Sequence, residues 1–177
     1  MQLIPALPDL TGRYAPRALD KCIEVPSGFH TGVSLGASAI VACESGTFSL
    51  GLAVNCTRCP RGSYSASGSS SCTNCTQGRF ASSSGMSECT ACTPGRSQHL
   101  HGASKCELCE RGTYQSISAS TSCIACAAGY STRADLGATS CISCDAGRHS
   151  KGLAVNCTAC TVGQWSSTTA ISCQNCR

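Results

Sequence analysis

The stretch CPRGSYSASGSSSCTNC, residues 59–75, holds one complete copy of the unit that decides the fold of this chain. It starts with a cysteine, has a glycine three positions later and a tyrosine two positions beyond that, and closes on a C-x-x-C pair after a run of Ser, Ala and Gly. The sequence contains eight such C-x-x-C pairs, separated by steps of 16 to 18 residues. A fixed period of this kind predicts a tandem array of one small structural unit.

Two nearly identical stretches occupy equivalent places in this array: GLAVNCTRC at residues 51–59 and GLAVNCTAC at residues 152–160. They lie 101 residues apart, which corresponds to six repeat steps. A glycine also recurs three positions after the cysteine that opens each repeat. This recurrence predicts a positive φ, or a place too crowded for a Cβ atom. The recurring glycines are Gly46, Gly62, Gly78, Gly95, Gly112, Gly129, Gly147 and Gly163.

The position two residues after the recurring glycine usually carries a ring. We expect a ring there to cover a disulfide, because sulfur–aromatic contacts are favourable. Two repeats break the rule, with Ser97 and Ser131 at this position. The rings are Phe48, Tyr64, Phe80, Tyr114, His149 and Trp165.

The repeat continues upstream in a degenerate form. Gly12 and Gly28 extend the glycine spacing, and each is followed by a ring two positions later. The sequence therefore predicts two degenerate repeats in residues 1–42 and eight cysteine-rich repeats in residues 43–177, forming one continuous rod. The cysteines expected in the degenerate repeats are replaced by Asp9, Val25 and Ile40.

The composition rules out an ordinary hydrophobic core. Cysteine makes up 18 of 177 residues, whereas aromatic residues make up only 5%. Large apolar side chains are too sparse to offset an ordering entropy of roughly 1.5 kcal/mol per residue. Cross-links through the cysteines must replace the core, and we predict a small disulfide-rich fold of β-ribbons and turns, an elongated solenoid-like array.

Composition and charge also exclude several classes of function. Charged residues are 12% of the chain and the net charge is +4, without the basic stripe that a nucleic-acid-binding protein shows. No apolar run is long enough to span a membrane. The sequence offers no catalytic constellation and no phosphate-binding loop, so we expect neither an enzyme nor a cofactor.

Two schemes of disulfide pairing are compatible with the sequence. In the pairwise scheme, neighbouring C-x-x-C pairs join two by two, as in Cys56–Cys72 with Cys59–Cys75, and Cys22 bonds Cys43. The sequential scheme leaves Cys22 and Cys176 as free thiols, and the joint loss of cysteine at positions 25 and 40 favours it. Its bonds are Cys43–Cys56, Cys59–Cys72, Cys75–Cys89, Cys92–Cys106, Cys109–Cys123, Cys126–Cys141, Cys144–Cys157 and Cys160–Cys173.

A third interpretation is zinc binding. The spacing C-x-x-C, twelve residues, C-x-x-C is passable for a zinc ribbon, and four such sites would use sixteen cysteines. Zinc modules usually alternate a spacer inside the site with a different linker between sites, whereas all the intervals here are alike. The Ser/Thr-rich filling also favours an extracellular disulfide array over an intracellular zinc module.

The unit CPRGSYSASGSSSCTNC resembles the ephrin-receptor-like cysteine-rich repeat, and it is also similar to the short single-disulfide module of tumour-necrosis-factor receptors. The resemblance covers residues 40–177 well and residues 6–40 poorly. It implies an elongated, disulfide-linked extracellular rod. It transfers no ligand-contacting residue, because such repeats serve receptors, adhesins and stalks alike.

A few residues stand out as candidate sites beyond the disulfides. Asn55, Asn74 and Asn156 each lie in an N-C-T sequon, which predicts N-glycosylation. Residues 97–101 depart from the repeat pattern, and we predict ligand contacts for Gln98, His99 and His101. Arginines that recur close to the repeated glycine would form a basic edge for an acidic partner if the array aligned them. They are Arg61, Arg79, Arg96, Arg111 and Arg148.

The function that these features favour is non-catalytic and extracellular. We predict a structural spacer, surface stalk or filament segment; the alternative is a ligand-binding, receptor-type ectodomain. Expected partners are a protein or glycan at the cell surface, or further copies of the chain joined end to end through Cys22 and Cys176. Residues 1–22 show no signal peptide, and we expect the chain to be a fragment of a longer protein.

Overall fold

A computed structural model describes residues 11–18 and 21–177. In these residues the regular structure consists of two-residue antiparallel strands, and no helix occurs. Consecutive strands pair into ten hairpins within the described part of the chain. The hairpins are β1 (Arg13–Tyr14) with β2 (Ile23–Glu24), β3 (Phe29–His30) with β4 (Val41–Ala42), β5 (Thr47–Phe48) with β6 (Thr57–Arg58), β7 (Ser63–Tyr64) with β8 (Thr73–Asn74), β9 (Arg79–Phe80) with β10 (Thr90–Ala91), β11 (Arg96–Ser97) with β12 (Glu107–Leu108), β13 (Thr113–Tyr114) with β14 (Ile124–Ala125), β15 (Tyr130–Ser131) with β16 (Ile142–Ser143), β17 (Arg148–His149) with β18 (Thr158–Ala159), and β19 (Gln164–Trp165) with β20 (Gln174–Asn175).

Each hairpin corresponds to one sequence repeat. The first strand begins directly after the recurring glycine, as β7 does after Gly62, and the second strand is the pair of residues inside a C-x-x-C, as β8 is between Cys72 and Cys75. The predicted fold class, a disulfide-rich array of short β-ribbons, is confirmed. A hairpin of two-residue strands is too small to be stable alone, so each repeat depends on its disulfide and its neighbours.

The recurring glycine is required for two separate reasons. It adopts a positive φ in all eight cysteine-rich repeats, from 73° at Gly112 to 84° at Gly46. In five of these repeats it also lies directly against backbone two repeats further along: a Cβ atom on Gly112 would overlap the carbonyl group of Leu153. Both alternatives that the sequence raised therefore hold at these five glycines, which are Gly46, Gly78, Gly95, Gly112 and Gly129.

Backbone hydrogen bonds link each repeat to the next. The N–H of Gly46 donates to the carbonyl of Ser65, three residues beyond the next recurring glycine, at 2.8 Å. The N–H of Gly95 donates to Gln115 in the same way, also at 2.8 Å. The accepting residue is buried in each case, so these bonds lie between repeats and out of contact with water.

In six of the eight cysteine-rich repeats of the described residues, the cysteine that opens the repeat is held through both of its backbone groups. The N–H of Cys59 donates to Gly46 of the preceding hairpin at 2.9 Å, and its carbonyl accepts from the N–H of Gly85 at 2.8 Å. These cysteines are among the most buried of the described residues, at 2% exposure or less in seven of the eight cysteine-rich repeats. The seven are Cys43, Cys59, Cys75, Cys92, Cys109, Cys126 and Cys144.

Val25 takes over this position in a degenerate repeat. Its N–H donates to Gly12 at 3.0 Å and its carbonyl accepts from Leu52 at 2.9 Å, the same two bonds that Cys59 makes. Val25 is 2% exposed, and Ile40, at the position of the missing partner cysteine, is half-buried. Apolar side chains thus stand where the disulfide is missing, and the repeat keeps its register. Asp9, the third replaced cysteine, lies outside the described residues.

The contacts divide the chain into two compact units. One contains the described residues up to Cys75 together with Ala81–Cys89, and the other contains Thr76–Phe80 and Thr90–Arg177. The first unit includes hairpins β1–β8 and a small cluster of Cys75, Ala81 and Cys89, against which Tyr64 and Met86 pack. The second unit includes hairpins β9–β20.

The glycine position generates a first test. Gly112 and Gly147 occupy equivalent places with φ of 73° and 79°, but only Gly112 has backbone within reach of an added Cβ atom. We expect Gly147→Ala to lower the free energy of unfolding by about 1–2 kcal/mol, from the unfavourable φ alone. Gly112→Ala should cost at least about 1 kcal/mol more, because the neighbouring repeat must move.

Guanidinium unfolding of the two variants with all disulfides intact measures this difference. Equal losses of stability in the two variants would show that the close approach of Gly112 to Leu153 does not contribute.

Candidate functional surface

Sixteen of the eighteen cysteines, all of which lie in the described residues, are joined in the sequential order. The Cα–Cα distances of the bonded pairs are 5.6–5.8 Å and the sequence separations are 13–15 residues. Cys22 and Cys176 are exposed free thiols. Because these sixteen cysteines are joined sequentially, they are not paired as in the pairwise scheme and are not free thiolates for the alternative zinc interpretation. The bonds are Cys43–Cys56, Cys59–Cys72, Cys75–Cys89, Cys92–Cys106, Cys109–Cys123, Cys126–Cys141, Cys144–Cys157 and Cys160–Cys173.

The position two residues after the recurring glycine lies on the disulfide of the following repeat. Tyr64 packs against Cys75 and Cys89, which are bonded to each other. Polar side chains at this position, two serines and one histidine, place a polar atom against a sulfur atom. These contacts are Ser97 Oγ to Cys123 Sγ at 3.4 Å, Ser131 Oγ to Cys157 Sγ at 3.4 Å, and His149 Nδ1 to Cys173 Sγ at 3.1 Å.

The three sequon asparagines are all exposed. Asn55 and Asn156 precede the second strand of their hairpins, whereas Asn74 is the last residue of β8 and is paired with Ser63. A glycan on any of them would extend into solvent without displacing a neighbouring repeat.

The twin stretches make the same contacts with the repeat before them. In the first, the carbonyls of Ala53 and Val54 accept from Thr31 and Gly32 at 3.0 and 2.8 Å. In the second, the carbonyls of Ala154 and Val155 accept from Thr132 and Arg133 at 3.0 and 2.7 Å. The recurrence of GLAVN is explained by this shared docking, since most other repeats lack these paired bonds.

One difference between the twins produces a cleft. Arg133, in the repeat before the second twin, has a φ of 53° at the place equivalent to Gly32 before the first twin, so a long cationic side chain occupies a position that suits glycine. Its Nη2 atom is 3.1 Å from Asp145 Oδ2, and Arg148 Nη1 donates to the carbonyl of Cys157 at 3.1 Å. These residues line a cleft of about 300 Å³ together with Asn156.

Of the predicted ligand contacts, Gln98 has an internal role. It is buried, its Nε2 donates to the Lys105 carbonyl at 2.8 Å, and its Oε1 accepts from the N–H of Leu100 at 2.8 Å. Gln115 makes the equivalent two bonds within the next repeat: its Nε2 donates to the Ser122 carbonyl, and its Oε1 accepts from the N–H of Ile117. The recurrence of Gln three residues after the repeated glycine was the sequence signal for this role. The predicted ligand contact at Gln98 stays a prediction beside this internal role.

His99 and His101 are exposed. The carbonyl of His99 accepts from Gln77 Nε2 at 2.7 Å, which fixes the backbone of this loop. Their predicted role in ligand contact stays a prediction.

The arginines near the repeated glycine have individual partners. Arg96 Nη1 donates to the Cys106 carbonyl at 3.1 Å, and Arg111 lies 3.4 Å from Asp135. Arg61 and Arg79 are exposed. Sequence reasoning missed Arg133, because it is not adjacent to a recurring glycine; its equivalence to Gly32, 101 residues earlier, was the available signal.

Comparison with known proteins supports the resemblance seen in the sequence. Residues 62–105 and residues 99–144 each match the family described as tyrosine-protein kinase ephrin type A/B receptor-like. No curated protein matches the chain. Residues 11–18 and 21–177 contain no helix that could cross a membrane.

The disulfide pattern yields a second prediction. Reduction of the intact protein should add about 16 Da, two hydrogens for each of eight disulfides, and alkylation before reduction should modify only Cys22 and Cys176. Intact mass spectrometry and peptide mapping, after enzymatic removal of any N-glycans, measure both. A gain of about 18 Da with no free thiol would instead require the pairwise scheme.

Proposed function

Residues 62–144 belong to the ephrin-receptor-like family of cysteine-rich repeats, and we propose that this protein acts as an extracellular spacer, either a surface stalk or a filament segment. Such repeats, together with eight disulfides, fit a non-catalytic protein in an oxidising compartment. The observation that carries the spacer proposal is the order in which the disulfides follow one another.

The disulfides form a continuous covalent path along the array. Each bond closes one repeat, and the next bond begins only three residues later, as at Cys56 and Cys59. Fully stretched, this path from Cys43 to Cys173 measures about 120 Å, whereas the chain without its cross-links would reach about 450 Å. Tension along the array is therefore carried by short segments and sulfur–sulfur bonds, which suits a spacer that must hold its length.

The surface of the repeats also suits a spacer. The residues between repeats are small or internally hydrogen-bonded, such as Ser65, Ala81 and Gln98. The exposed side chains differ from repeat to repeat. They are free to differ because the pairing of the strands is fixed by backbone hydrogen bonds and disulfides, and not by these side chains. A protein of this kind gains length through more repeats without needing a common binding face.

Length in solution is the property that tests the spacer proposal. A compact domain of 177 residues has a radius of gyration of about 16 Å. We expect small-angle X-ray scattering of the oxidised, monomeric protein to give a value well above this, because we propose that residues 43–177 form one continuous rod. A measured radius near about 16 Å would rule out the spacer proposal.

A second candidate function is binding of an acidic glycan, and the cleft at Arg133 and Arg148 favours it. Guanidinium groups bind carboxylate and sulfate oxygens through paired hydrogen bonds. Both arginines are exposed, and a single carboxylate, Asp145, lines the same cleft. The equivalent positions 101 residues earlier lack both arginines, since they are occupied by Gly32 and Thr47.

The equivalent positions, 101 residues earlier, supply the substitutions for a fourth test. We expect the double variant Arg133→Gly with Arg148→Thr to elute from a heparin column at lower salt than the unmodified protein. Gly at position 133 suits the positive φ, so the fold should be retained. Arg61→Ser, which removes an exposed charge elsewhere, is the control for net charge.

The double variant removes two charges and the control removes one. If the salt concentration at which the double variant elutes falls by no more than twice the decrease seen for the control, the cleft is not a specific site. A shift beyond that amount assigns acidic-glycan binding to the cleft.

The exposed asparagines Asn55, Asn74 and Asn156 are proposed to carry N-glycans, which would keep the rod soluble and separated from its neighbours. The enzymatic deglycosylation used before mass measurement reads this directly: protein secreted by eukaryotic cells should lose mass at one or more of these residues. No loss of mass would remove glycosylation from the proposal.

A further inference from the structure

One of the three sequon asparagines lies in the cleft at Arg133 and Arg148. Asn156 is exposed, and it lines this cleft of about 300 Å³ together with the two arginines. Asn55 lies in the equivalent sequon, but in a stretch without these cations. The side chain of Asn156 is thus open both to an N-glycan and to a ligand of the two arginines.

The chain neighbours of Asn156 fix its position relative to both arginines. The carbonyl of Val155, directly before it, accepts from the N–H of Arg133 at 2.7 Å. The carbonyl of Cys157, directly after it, accepts from Arg148 Nη1 at 3.1 Å. Asn156 is therefore held between the two residues to which the arginines are hydrogen-bonded, and it cannot move away from the cleft without disturbing these bonds.

We propose that an N-glycan on Asn156 closes the cleft, so that only the chain without this glycan binds acidic glycans there. This proposal rests on the acidic-glycan binding proposed for the cleft, and it adds how that binding is regulated. A glycan here displaces no neighbouring repeat, but its first sugar is joined directly to a side chain of the cleft wall. That sugar is neutral, so it offers Arg133 and Arg148 no carboxylate or sulfate oxygen while it keeps such groups out.

The modification requires a donor from outside this chain, an oligosaccharide linked to a lipid diphosphate. The Nδ2 atom of Asn156 bonds to C1 of the first sugar, and the bond from C1 to the diphosphate oxygen breaks. The amide nitrogen loses one proton, which the departing lipid diphosphate takes up. No electrons are exchanged, and the cleft keeps all of its own side chains.

The first twin provides a built-in comparison. Asn55 is exposed like Asn156 and stands 101 residues before it. The positions of the two arginines are occupied there by Gly32 and Thr47, and Thr47 Oγ1 donates to the carbonyl of Glu44 at 2.8 Å. Loss of a glycan from Asn55 therefore measures the effect of removing one N-glycan without uncovering an arginine pair.

The test compares elution from a heparin column with and without the glycan on Asn156. The protein is secreted by eukaryotic cells that attach only neutral oligomannose glycans, so that the glycan itself brings no charge. Thr158→Val removes the sequon but keeps Asn156, and a β-branched apolar residue also stands at this repeat position in Ile142. Thr57→Val removes the sequon of Asn55 in the same way and is the matched control. Peptide mass mapping establishes which asparagines carry a glycan.

We expect Thr158→Val to elute at higher salt than the protein glycosylated at Asn156, and Arg133→Gly with Arg148→Thr to abolish this increase. In the glycosylated protein, the same double substitution should lower the elution salt by no more than twice the decrease seen for Arg61→Ser. Thr57→Val should leave the protein as insensitive to the double substitution as before. The unsubstituted chain from a host without N-glycosylation, with its eight disulfides formed, should behave like Thr158→Val, which separates loss of the glycan from any effect of valine.

The failure of this proposal and the failure of the binding proposal give different results. A finding that Asn156 carries no glycan overturns the regulation, and so does a double substitution that acts as strongly on the glycosylated protein as on Thr158→Val. In the latter case acidic-glycan binding by the cleft still stands. If the double substitution lowers the elution salt of Thr158→Val by no more than twice the decrease for Arg61→Ser, the cleft binds no acidic glycan and both proposals fail.

Discussion

The structure depends on the cysteine that opens each repeat. Cys59 shows the arrangement: its sulfur bonds Cys72, its N–H donates to Gly46 of the hairpin before it, and its carbonyl accepts from Gly85. One residue thus joins its own repeat covalently and two other segments by hydrogen bonds. Because the side chain is small and fully buried, the backbones of successive repeats can approach closely around it. The occupation of this place by Val25 indicates that burial and backbone bonding persist where the disulfide does not.

An interior built in this way has consequences for the surface. Where a larger domain would bury aliphatic side chains, these repeats bury cysteine and hydrogen-bonded polar residues such as Ser65 and Gln115. The remaining side chains point outward and are little constrained by packing, which leaves them free to acquire separate roles. Arg133 and His149 illustrate this freedom, since both occupy positions where other repeats carry residues of different chemistry.

The same organisation connects the repeats to mechanical and chemical properties. A covalent path from Cys43 to Cys173 limits how far the array can lengthen, whatever happens to its hydrogen bonds. That path is only as durable as its most accessible bond, and access falls where a later repeat covers the cysteine. Burial by neighbouring repeats therefore protects the cysteines that open the repeats, as the fully buried Cys43, Cys59 and Cys144 show.

The sequence by itself determined everything that repeats with the period of the chain. The step of 16 to 18 residues, the recurring glycine and the joint loss of cysteine at positions 25 and 40 predict the repeat, its tight turn and the order favoured for the disulfides. Each of these is a local property, visible within one copy of the unit. The internal bracing by Gln98, the cleft at Arg133 and Asp145, and the contact of His149 with Cys173 were decided only by the tertiary structure. The ion pair of Arg133 with Asp145 and the contact of His149 with Cys173 each join residues of different repeats. Gln98 is a buried side chain for which the sequence had predicted a ligand contact. A period specifies what each repeat is, but which side chains meet depends on how one repeat packs on the next.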